Sequence, residues 1–141
     1  MDYRVFDKTI VVRLDKGDEI VKSLTEVAEK EKCALASIIG IGAIDDFSVG
    51  VFDLNKADYD RMHYVGNHEI NALTGDLTTK DGKPYLHLHI TCTGPGGKVV
   101  GGHLFEAKVS LTGEIFMQTV CGKTDRKFDP SVGINKIVFG Q

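Results

Sequence analysis

The chain has 141 residues, enough for one hydrophobic core and too few for two. Hydrophobic side chains make up 42% and charged ones 26%, and 17 basic against 20 acidic residues leave a formal charge of −3. That balance excludes a protein that grips nucleic acid by bulk positive charge, and the lack of a long apolar run excludes a membrane-spanning helix.

From the N-terminus, Met1–Phe6 lacks the apolar run of a signal peptide. Thr9–Leu14 is rich in β-branched residues and reads as extended. Asp15-Lys16-Gly17-Asp18 reads as a turn that delivers a helix cap, and Ile20, Leu24, Val27 and Ala28 recur at helical spacing. One amphipathic helix over about residues 18–31 is expected. Its charged face, with Lys22, Glu26 and Lys30, is a solvated surface.

Beyond the helix the pattern turns to strands. Ala34–Ile44 carries Gly40 and Gly42, which favour a strand or bend. Phe47–Phe52 continues extended, and residues 59–65 and 68–79 read as two strands parted by a Gly66-Asn67 turn. Asp81-Gly82 marks a hairpin leading into Pro84–Ile90, and Gly94–Gly97 marks another. Strands are expected over 98–103, 106–120 and near 137–139. A mostly antiparallel, barrel-like sheet with one or two helices is an α+β domain. No repeat or linker divides it, so a single domain over 1–141 is expected. Cys33, Cys92 and Cys121 form neither a paired framework nor a CxxC motif, which suits a cytoplasmic location.

The strongest chemical signal is His87-Leu88-His89, followed by Gly101-Gly102-His103. Residues two apart on a strand share a face, so His87 and His89 point the same way while Leu86, Leu88 and Ile90 fill the opposite face. If the hairpin closes about Gly94–Gly97 with paired positions summing to about 192, His89 sits opposite His103 and His87 lies diagonal to it. Three imidazoles from two strands suit a transition metal with an open fourth position, zinc above all. Gly101 would fall opposite Thr91 and leave space beside the metal, and with Gly102 it is a candidate ligand-binding position. The competing reading is two half-exposed strand histidines and an unrelated third. His63 and His68 lack such convergence and read as surface or hydrogen-bonded strand residues.

Glu69 is a candidate general base or orienting carboxylate, or a solvated strand charge. Arg13 and Arg126, two of only four arginines, are candidates to anchor an anionic ligand or to close ordinary salt bridges. Gly40-Ile41-Gly42 lacks the third glycine of a dinucleotide fingerprint, which Asp45 replaces. Lys123–Lys127 reads as a solvated turn rather than a nucleic-acid footprint.

The ordered segments resemble the plant and prokaryote conserved (PPC) domain over nearly the whole chain. They include Val12-Arg13-Leu14, Gly17–Ile20, Gly40–Ala43, Glu69-Ile70 and Leu73-Thr74-Gly75. Asp81–Pro84, His87-Leu88-His89, Gly101–Leu104, Glu114-Ile115, and Arg126 with Asp129 complete the series. The resemblance implies an α+β fold and a homotrimer with sites near the subunit boundaries. It also carries a DNA-binding label, inherited from relatives that bear an Arg-Gly-Arg-Pro hook which this sequence lacks. The fold is similar to that of acetolactate decarboxylase, whose zinc ligands match His87, His89 and His103.

Three readings follow. The first is a metal-binding trimeric module with a regulatory or association role, touching DNA weakly or through a partner. The second is a small zinc-dependent lyase or hydrolase acting on a carboxylate-bearing metabolite, a small-molecule anion. In the third, a structural trimer merely retains the histidines.

Overall fold

The segment with helical spacing folds as α1, Ile20–Lys30, and buries Ile20, Leu24, Val27 and Ala28 as their periodicity requires. Glu19 caps it: its carboxylate accepts from the Val21 and Lys22 amides and, on the far side, from the Ala107 amide at 3.0 Å. One side chain thus ends the helix and ties it to the sheet. This computed structural model describes residues 1–140.

The described residues also form eight strands: β1 Asp2–Phe6, β2 Thr9–Asp15, β3 Ala36–Asp53, β4 Asp58–Lys80, β5 Lys83–Thr93, β6 Val99–Thr119, β7 Asp125–Asp129 and β8 Ile134–Val138. A one-turn helix at Pro95–Gly97 links β5 to β6. All pairings are antiparallel except a short parallel contact of β4 with β7 at Thr79 and Asp125. The path runs β1-β2-β6-β3-β4-β7-β8, while β5 bridges β4 and β6. The pairing β3-β4-β5-β6 therefore returns on itself, and β1 and β8 remain as free edges. The result is a curled sheet over one helix, an α+β fold rather than a closed barrel.

Three strands are longer than their hydrophobic patterns suggest. The two runs at Ala34–Ile44 and Phe47–Phe52 are one strand, β3, and 98–103 and 106–120 are one strand, β6. The Gly66-Asn67 pair is not a turn. It is a bulge within β4, where two residues face the single Asp45 of β3, and Gly66 takes a φ of 103° that suits glycine. Lys123–Lys127 is only partly a turn, because its second half enters β7 and Arg126 is buried. The Asp81-Gly82 turn is as expected, with both residues at positive φ.

One apolar core lies between α1 and the concave side of the sheet, built from Ile10, Val12 and Leu14 of β2, Phe47 and Val49 of β3, Leu88 and Ile90 of β5, and Ile115 and Met117 of β6. Cys92 is buried in it, and burial pushes its thiol up to about 12. The cysteines are all free.

Candidate metal centre and adjoining cavity

The β5–β6 hairpin closes in the register whose pair numbers sum to 192. His89 pairs with His103, and Thr91 with Gly101. Leu88 and Ile90 are buried on the opposite face. The three rings converge: centroids are 5.1 Å apart for His87–His89, 5.2 Å for His87–His103 and 5.6 Å for His89–His103. Their ligand-capable nitrogens all lie within 4.8 Å of one another. Tetrahedral zinc with bonds of about 2 Å holds its ligand atoms about 3.3 Å apart, a closure that side-chain torsions supply. The fit has a second mark. The Nδ1 atom of His103 is buried and has no hydrogen-bond partner among the described residues, the condition of a nitrogen that awaits a ligand.

Their surroundings favour the neutral form of His87 and His103, the form that ligates metals. Burial, then the neighbouring His87 and His89 and the Arg61 charge, push His103 down to about 4. His87 is lowered by burial first, then by Arg126 and His89, against an opposing pull from Asp76. Asp76 stands opposite His87 on β4 and accepts from Arg126 Nη2 at 2.8 Å.

A cavity of about 240 Å³ opens beside His87 and His103. Tyr59 and Arg61 of β4, Tyr85 of β5, Phe105 of β6 and Arg126 of β7 line it, with Gly133, Ile134 and Asn135 on the incoming side of the β7–β8 hairpin. Tyr59 stacks on His103 at 4.7 Å, and the Arg61 guanidinium lies 3.9 Å above the Phe105 ring. Gly50 makes this possible. It pairs with Arg61 on one side and His103 on the other, and a Cβ there would meet the Phe105 ring at 2.9 Å and Tyr59 Cβ at 3.3 Å.

The other candidates are distributed as follows. Arg126 reaches the cavity, but Thr78 Oγ1, the Asn135 carbonyl and Asp76 already hold its guanidinium. Arg13 is on β2 opposite Glu114, exposed, and paired with Asp15 at 3.0 Å, so it stays outside the cavity. Glu69 is exposed and pairs with Thr93, four residues along β5 from His89, about 13 Å of strand. A Cβ at Gly101 would overlap the Ile90 carbonyl oxygen, and one at Gly102 would meet the Gly50 carbonyl oxygen at 2.7 Å. Both glycines serve close backbone approach and neither lines the cavity. His63 and His68 are hydrogen-bonded strand residues, to Ser48 and to the Gly66 carbonyl. Tyr59, Arg61, Tyr85, Phe105 and Asn135 escaped the sequence reading. Their only sequence signal is the alternation of Tyr59 with Arg61 and of His103 with Phe105.

A curled antiparallel sheet with one covering helix and three convergent imidazoles on a two-strand hairpin defines a class of small α+β domains with a metal-competent centre. Residues 1–121 match the Plants and Prokaryotes Conserved (PCC) domain, and the chain belongs to that family. A candidate DNA-binding protein of Bacteroides thetaiotaomicron is similar with a TM-score of 0.94 and 29% identity, over 98% of this chain and 96% of that one. A metal-containing protein of Archaeoglobus fulgidus is similar with a TM-score of 0.87 and 30% identity, over 98% and 97%. A plant- and prokaryote-conserved protein of Pyrococcus horikoshii follows at 0.86 and 26%, over 99% and 96%. No curated protein matches the chain.

Proposed function

We propose that this chain is a metal-binding association module of the PCC family, a homotrimer that holds zinc through His87, His89 and His103. The observation that carries this reading is the mutual approach of the three ligand nitrogens to within 4.8 Å, with the buried His103 Nδ1 unpartnered. Three neutral nitrogen donors and no thiolate favour zinc over softer or harder ions. The metal-containing Archaeoglobus relative supports the same reading. A bound divalent ion would supply Lewis acidity at the cavity, next to His87 and His103. The trimer is supported by an apolar groove of about 380 Å³ on the outer sheet, lined by Ile39, Ile41, Ala72, Leu73 and Phe116. Thr74, in the same groove, pairs with His89, so a neighbour seated there would border the metal centre. DNA binding, the label carried by the Bacteroides relative, enters here as a weak or partner-mediated property, because the chain is net negative.

A second reading is a small zinc-dependent lyase or hydrolase, favoured by the cavity that adjoins the histidines. In it, Glu69 would act as a base only if a neighbouring copy carried it to the centre. Elemental analysis of the purified protein, with zinc titration of wild type and of H87A, H89A and H103A, tests the common core of both readings. One zinc per chain, lost in each variant, is the expected result. Stoichiometric zinc that persists without these histidines would reject it.

A further inference from the structure

We propose that the cavity beside the histidines takes a small planar organic carboxylate with Arg61 as its charge partner; the proposal rests on the reading of this cavity as the functional site. Three of the four arginines are already committed. Arg4 pairs with Asp2 and Arg13 with Asp15, and Arg126 is held by Thr78, the Asn135 carbonyl and Asp76. Among the described residues, the Arg61 guanidinium is in no ion pair and donates no hydrogen bond, although it lies 3.9 Å over the Phe105 ring. A guanidinium held over an aromatic ring without a hydrogen-bond partner keeps N–H groups available, and they match a carboxylate in a two-point contact.

The surroundings select the same ligand. The ten lining residues include two arginines and two histidines but no aspartate or glutamate, and the carboxylate nearest the wall, Asp76, is tied to Arg126. Tyr59, Tyr85, Phe105 and Ile134 supply broad apolar walls, which favour a flat ring over a flexible chain. The hydroxyl of Tyr59, which lines the same cavity, has no hydrogen-bond partner among the described residues and offers a second donor. The volume of about 240 Å³ suits a small organic ligand better than a nucleotide or peptide held whole.

Calorimetry on the zinc-treated full chain tests this with benzoate as probe, acetate as a carboxylate without a ring, and benzyl alcohol as a ring without charge. Saturable benzoate binding is expected, about tenfold tighter than either partial probe. R61Q should lower benzoate affinity about tenfold or more, R61K should retain part of it, and R13Q should leave it unchanged. Equal affinity for benzoate and either partial probe, no saturable benzoate binding, or a loss in R13Q rather than R61Q would overturn the proposal. Zinc is titrated separately into each protein. If zinc fails to bind, the metal reading falls while the benzoate comparison on the same sample still decides the role of Arg61.

Discussion

Gly50 and His103 show how single positions set the site. Because Gly50 has no side chain, Tyr59 and Phe105 meet across β3 and close over His103. G50A puts a methyl against the Phe105 ring, and a well-packed site resists such overfilling at a cost of about 1–3 kcal/mol. Urea melts should report that loss, and the Tyr59–His103 stack should open with it. His103 also gives a pH dependence. Its ordinary value of 6.5 in the unfolded chain falls to about 4 in the fold, so between these values the unfolded state binds the extra proton. Stability of the metal-free protein therefore rises with pH across this window and is lost as pH falls from about 6.5 toward 4. In chelator, the denaturation midpoint should drop over that range in wild type, and the drop should be smaller in H103Q. Identical slopes would show that His103 is not desolvated.

Among the elements, the β7–β8 hairpin matters most for the cavity. It lies beyond residue 121, where the family match ends, yet it contributes Arg126, Ile134 and Asn135 to the wall. Among the described residues its backbone joins the main sheet at Thr79, which pairs with Asp125 and donates to the Thr124 carbonyl at 3.0 Å, and the buried Arg126 side chain is the further tie. Asp125 adds a hydrogen bond from Thr79 Oγ1. R126A would leave Asp76, about one-third exposed, without its cation and Thr78 without its donor, a loss of about 2 kcal/mol. The expected signature is loss of amide protection in residues 125–138 before the core strands exchange. Uniform destabilisation, with the hairpin still protected, would contradict this role.

At the scale of the molecule, charge and outer surface decide the associations. Ile39, Ile41 and Leu111 are each more than half exposed on the outer sheet, and Phe116 is 44% exposed beside them. Apolar area of this kind marks association. Light scattering at micromolar concentration should report a mass near three chains, and I39E should shift it toward one. A monomer that persists at every concentration would remove the trimer. DNA binding, if assayed at physiological salt, should be micromolar or weaker and should fall steeply as salt rises. A tight, sequence-specific complex formed by the isolated protein would contradict that expectation.

The sequence alone determined the helix, the β5–β6 register and the histidine trio, because these depend on local periodicity and on one short hairpin whose arithmetic is fixed by the turn. It could not supply the cavity. Arg61 and His103 are 42 positions apart and meet only because both flank Gly50, a pairing set by the register of three long strands with bulges. Nor could it show that Gly66-Asn67 is a bulge, since the same residues suit a turn and the choice belongs to the strand that runs beside them. Arg126 is buried and committed, while Arg61 is exposed and free, for the same reason. Which charge finds a partner is decided by contacts between distant segments, and those exist only in the tertiary fold.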